Sequence, residues 1–75
     1  MKNSLNNLSK NFGKRIKIER IKQEISQEQL AELSDLHRTT LGSIENDKTS
    51  PTLDSIAKIA NALNLTISEL LVDVV

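Results

Sequence analysis

Apolar residues recur along most of this chain at helical rather than alternating spacing. Phe12, Ile16 and Ile21, in a stretch from about Leu8 to Gln23 whose one breaker is Gly13, predict a first helix. The polar, Asn-rich residues before it, 1–7, read as a flexible N-terminal arm, which leaves 8–75 as the folded domain. Ser26-Gln27-Glu28-Gln29 spells a capping box: the Ser26 hydroxyl can accept from the Gln29 amide while the Gln29 side chain reaches back. Leu30, Ala31 and Leu33 follow, so a second helix is expected over Gln27–Leu33. Ser34-Asp35-Leu36 interrupts the pattern. Helical spacing resumes from His37 to Glu45, with Leu41 and Ile44 on the apolar side and Arg38, Thr39 and Ser43 on another. Residues 46–51 form a loop by composition. Thr52 can cap a fourth helix over Leu53–Leu63, whose Leu53, Ile56, Ala57, Ala60 and Leu63 make an i, i+3, i+4 stripe. Asn64 suits a left-handed stop, and the second capping box, Thr66 to Glu69, opens a fifth helix ending near Val72. No strand-like alternation, repeat or linker interrupts this order, which predicts an all-α five-helix bundle.

Composition narrows what such a bundle can do. At 75 residues the core is marginal without a staple or a partner. The absence of Cys removes a disulfide framework and any Cys-based zinc site. No run approaches the ~18 apolar residues of a membrane span, and no signal-peptide core follows Met1, so a soluble cytoplasmic protein is expected. No Ser/His/Asp or Cys/His set and no Gly-rich phosphate loop is present, which argues against an enzyme. The single His37 stands at a helix start and reads as a local hydrogen-bonding residue rather than a metal ligand or base. No metal, cofactor or small-molecule ligand is expected.

The net charge of zero hides a division. Residues 1–22 hold seven bases and one acid, and residues 23–75 hold three bases and nine acids. A basic run is compatible with a solvated helix face, but it also supplies one positive side for a polyanion. The arrangement in mid-chain favours the latter. Two short helices joined by the four residues Ser34–His37 have the proportions of a DNA-binding helix-turn-helix, with small Ala31 where the helices must pass closely.

Five ordered blocks carry a family resemblance: Ile16 with Arg20, Ser26 through Glu32, Leu41 with Ile44-Glu45-Asn46, Ser50-Pro51-Thr52-Leu53, and Ile59 through Leu63. Over Phe12–Leu71 the chain resembles phage-repressor and Cro-type regulators of the xenobiotic-response-element class, with the lambda-repressor-like fold. Leu36-His37-Arg38-Thr39 followed by Leu41-Gly42 is similar, more narrowly, to controller proteins of restriction–modification systems.

The resemblance implies roles. Arg20 and Glu45 would form a buried ion pair between the first helix and the end of the recognition helix. Gln27, Arg38, Thr39 and Ser43 would contact bases, Arg38 at guanine O6/N7 and Thr39 at a base edge or thymine methyl. Thr40, Asn46 and Lys48, with Lys14 on the first helix, would meet phosphates, which set register without reading sequence. Arg15 would add long-range attraction. Each residue also suits a plainer place: Gln27 a first helical turn, Asn46 a helix end, and Arg38, Thr39, Thr40 and Ser43 a solvated surface.

Four positions where the family usually has Gly hold Glu24, Asp35, Asp47 and Asn64. Asp and Asn tolerate a left-handed backbone, so three turns should survive; Glu24 suits it worst, and the loop after the first helix is expected to differ. Asp47 would weaken binding near the DNA backbone. Glu19 stands where an apolar residue is common, so Ile18 or Ile21 is expected to pack instead.

The apolar end of the chain, Ile67, Leu70, Leu71, Val72 and Val74, exceeds what one short terminal helix needs. It can cap the protomer core or form a twofold interface, and the second reading gives a homodimer on a palindromic operator with recognition helices ~34 Å apart. The expected function is therefore a sequence-specific double-stranded DNA-binding transcriptional regulator, the controller of a restriction–modification system if the narrower resemblance holds. The alternative is an antitoxin-like autorepressor whose C-terminal apolar strip binds a partner protein.

Overall fold

The computed structural model describes residues 4–71, with side chains described from Phe12 onward. These residues form α1 (Ser4–Lys22), α2 (Gln27–Leu33), α3 (Arg38–Glu45), α4 (Leu53–Ala62) and α5 (Ile67–Leu71), with no strand among them. Residues 4–7, expected in an arm, are instead the first turn of α1.

Side-chain caps fix three of the starts. Ser26 Oγ accepts from the Gln29 amide at 3.0 Å while Gln29 Oε1 accepts from the Ser26 amide at 2.7 Å. Thr66 and Glu69 make the same reciprocal pair at 3.0 and 2.8 Å, and Thr52 Oγ1 accepts from the Ser55 amide at 3.0 Å. These bonds satisfy amides that a helix start leaves without partners. His37 occupies the cap position of α3 but makes no side-chain cap bond, contrary to its expected local role.

The first four helices end alike. Glu24, Asp35, Asp47 and Asn64 all adopt positive φ, between 56° and 61°. After each, the next amide reaches back five residues: Ile25 to Arg20, Leu36 to Ala31, Lys48 to Ser43 and Leu65 to Ala60, at 2.8–3.2 Å. This is the Schellman ending, in which a left-handed residue lets the chain satisfy the last carbonyls. Glu24 takes the same conformation as the others, so the loop after α1 does not depart from the pattern. Ile25, Leu36 and Leu65 then pack on the core; Lys48, the fourth residue in that position, is exposed.

Phe12 and Ile16 of α1, Leu30 and Ala31 of α2, Leu41 and Ile44 of α3, Ile59, Ala60 and Leu63 at α4, and Leu70 of α5 form the core. Two residues expected on apolar faces lie outside it: Leu33 is 61% exposed and Leu53 73%. Both stand at a helix end, where no neighbouring helix covers the stripe. On α1 the expectation for Glu19 is reversed. Glu19 is buried, paired with Arg15 and with Lys22 at 3.4 Å, whereas Ile18 and Ile21 face outward. A partnered carboxylate can occupy that place because two cations from its own helix neutralise it.

α1 binds the bundle together. A Cβ on Gly13 would lie 2.5 Å from the Ile44 carbonyl oxygen and 2.8 Å from that of Glu45, so α1 and α3 touch backbone to backbone there. Gln23 Nε2 donates to the Leu63 carbonyl at 2.9 Å, and Arg15 donates to the Glu69 and Leu70 carbonyls at 3.1 and 3.4 Å. Two helix C-termini are thus completed, that of α5 by Arg15 of α1 and that of α4 by Gln23 just past the end of α1.

Candidate nucleic-acid interface

Leu41, Ile44 and Glu45 are buried and fix the orientation of α3. At about 100° per residue, Thr39, Ser43 and Asn46 fall within about 60° of one another on the opposite side. Arg38 and Gly42 border that strip on one side and Thr40 on the other. Arg38, Thr39, Thr40, Asn46 and Lys48 are exposed and Ser43 is half-buried. The outward surface of α3 therefore gathers hydroxyl, amide and guanidinium groups.

Behind this surface lies a charge-assisted network. Arg20 Nε donates to Glu45 Oε2 at 2.9 Å and Arg20 Nη2 to Glu45 Oε1 at 3.1 Å, a two-pronged pair across α1 and α3. Arg20 Nη1 also donates to the Ile25 carbonyl at 3.1 Å. Gln27 Nε2 donates to Glu45 Oε1 at 3.2 Å, which lays the Gln27 side chain from the start of α2 across α3. The ion pair implied by resemblance is thus present, and it holds Gln27 as well. Among the described residues no buried side-chain nitrogen or oxygen lacks a partner.

The remaining candidates divide. Lys48 follows the α3 ending, where its amide donates to the Ser43 carbonyl at 2.8 Å, and its side chain is exposed beside Asp47. Lys14 is exposed and follows Gly13, the residue packed on the end of α3. Arg15 is not free for long-range attraction: Glu19 and the α5 carbonyls engage its guanidinium. Leu70 is fully enclosed in the protomer core and offers nothing to a second copy, which corrects its expected interface role. Ile67 remains 37% exposed, Leu71 is half-buried, and Val72 and Val74 lie outside the described residues.

Two features were missed by sequence reasoning. Glu28 of α2 lies 3.9 Å from Arg38 Nη1, a pair ten residues apart across the turn that no local spacing signals. Gly42 sits inside α3, and a glycine within a helical pattern was the signal that could have found it. Among the described residues no His, Cys, Asp or Glu group could hold a metal ion, and no helix is long and apolar enough to cross a membrane.

Residues 16–70 match the family model described as Helix-turn-helix. The chain belongs to the helix-turn-helix family. Control protein C.MunI from a Mycoplasma species is 38% identical over 71 residues, covering 93% of this chain and 96% of that protein. Control protein C.SmaI of Serratia marcescens is 49% identical over 47 residues, 63% of this chain but only 56% of that relative. The crystal structure of the restriction–modification controller protein C.AhdI from Aeromonas hydrophila superposes with a TM-score of 0.79 at 38% identity, over 81% of this chain and 92% of that one. This helix-turn-helix chain is thus a DNA-binding regulator related to restriction–modification control proteins, and not an enzyme.

Proposed function

We propose that this regulator reads a palindromic operator in duplex DNA as a homodimer and controls the genes of a restriction–modification system, its own gene among them, in the cytoplasm. The observation that carries the reading is the outward strip of α3, where Thr39, Ser43 and Asn46 share one side with Arg38 at its edge and the opposite side is sunk in the core. A helix about 10–12 Å across suits a major groove about 12 Å wide. Arg38 and Thr39 sit in the first turn of α3, the part that meets base edges when such a helix enters the groove. Arg38 reads guanine; Thr39 and Ser43 read neighbouring edges; Gln27, held by Glu45, reads or grips beside them. Thr40, Asn46, Lys48 and Lys14 meet phosphates. Ile67 and Leu71, with Val72 and Val74, form the contact between two copies. The antitoxin-like alternative gains no support from the relatives named above.

The test is a mobility-shift titration on a duplex that the protein selects from a random-sequence pool. Arg38→Ala is expected to lose ~1–3 kcal/mol on that duplex and to relax one base preference. Lys48→Ala is expected to weaken selected and random duplexes about equally and to lower the salt dependence by about one released counterion. Failure of the unaltered protein to select any sequence would overturn the reading.

A further inference from the structure

Gly42 stands in the middle of α3, where glycine weakens a helix relative to alanine. The fold gives no reason for it. Its φ is not positive, and the three atoms nearest a Cβ built there belong to the end of the Gln27 side chain, Oε1 at 3.5 Å and Cδ and Nε2 at 3.8 Å, which is ordinary contact. Gly13 is the contrast, since a Cβ there would strike backbone. What Gly42 does provide is a half-buried stretch of main chain without a side chain, at the edge of the outward strip of α3. Arg38 and Asn46 lie one turn to either side, Thr39 and Ser43 lie alongside, and the Gln27 amide forms one wall.

We propose that Gly42 is a specificity-determining residue whose bare Cα seats the C5 methyl group of one thymine in each half-operator. The inference rests on the reading of α3 as the helix that enters the major groove. The thymine methyl is the apolar group that base pairs project there, and a missing Cβ leaves room of that size. The wall of the seat suits the same base pair. Gln27 Nε2 is engaged by Glu45, which leaves Oε1, the atom nearest the missing Cβ, as an acceptor. The adenine opposite that thymine carries an N6 amino donor. Glycine here lowers helix stability but leaves open the space that the base needs, which a side chain would occupy.

The experiment uses the full chain, its Gly42→Ala variant, and the duplex that the unaltered protein selects. Each thymine is replaced singly by deoxyuridine, which removes only the methyl. Gly42→Ala is expected to melt about 4 °C higher, since alanine strengthens the helix, and to bind the selected duplex roughly ten-fold more weakly through overpacking. At one thymine per half-operator, deoxyuridine is expected to weaken the unaltered protein about four-fold, the worth of one buried methyl. The same replacement is expected not to weaken Gly42→Ala, whose own methyl fills the vacated space. Equal binding of the thymine duplex by both proteins overturns the proposal, as does a lower melting temperature for the variant or the lack of any thymine with this pattern. If the unaltered protein selects a duplex and one of these results follows, only the role of Gly42 falls; if it selects none, the reading of α3 falls with it.

Discussion

The Glu45 side chain has no solvent exposure, while that of Arg20 keeps 15%. This difference decides which deletion does more harm. Arg20→Ala strands a buried carboxylate with only the Gln27 amide and is expected to destabilise the protein by about 3–5 kcal/mol. Glu45→Ala leaves Arg20 with the Ile25 carbonyl and a path to water, so its loss should be smaller. Urea denaturation of the two variants checks the order, and equal midpoints would contradict it. At Gly13 the constraint is steric. Gly13→Ala pushes a methyl into the carbonyls of Ile44 and Glu45, neither of which can rotate away, and a loss of about 1–3 kcal/mol is expected in the same assay. None of these three residues was legible as such from local pattern. Arg20 and Glu45 are 25 positions apart and came from family resemblance, while Gly13 reads in sequence merely as a weak point of a helix. Periodicity reports which residues share a face, not whose backbone presses against it.

At the level of elements, the repeated helix ending gives an ordered series. Glu24, Asp35, Asp47 and Asn64 share one backbone conformation and differ in how well their side chains suit it. Glu24→Gly removes a Cβ clash that no short side-chain hydrogen bond offsets, and is expected to stabilise by about 1 kcal/mol. Asn64→Gly should change little. Thermal melts of the four glycine variants check this, and a larger gain at Asn64 than at Glu24 would argue against it. Helix order, the capping boxes at Ser26 and Thr66 and the left-handed stop at Asn64 were legible because each depends on residues within one or two turns, whereas Glu24, Asp35 and Asp47 were marked only by the family resemblance. The burial of Glu19 and the exposure of Leu33, Leu53 and Ile21 were not, because they depend on which helix lies opposite. The start of α1 was missed for a related reason: Ser4, Asn6 and Asn7 are weak helix formers, and propensity is a weak guide at a helix end.

For the whole molecule, the candidate surfaces lie on separate elements, the outward side of α3 and the exposed part of α5. Ile67→Glu is therefore expected to shift the protein from dimer to monomer in analytical ultracentrifugation while leaving the protomer's melting temperature nearly unchanged, because Ile67 is not among the core residues. A monomeric unaltered protein at high concentration would exclude the α5 contact. The outward-facing residues of α3 were legible in sequence to the extent that the helix-turn-helix was, since burial of Leu41 and Ile44 decides the direction of Thr39 and Ser43. The division of labour among the basic residues was hidden, because Arg15 and Lys14 are neighbours in the chain and only three-dimensional contacts separate them. Arg15 holds the last carbonyls of α5 and Arg20 holds the end of α3, and they are five residues apart on one continuous helix. In the proposed dimer α1 would act as a ruler: a second copy seated on α5 would inherit a fixed distance to the outward side of α3. One base pair inserted as a spacer turns the far half by about 35°, and a rigid ruler has no joint with which to follow it.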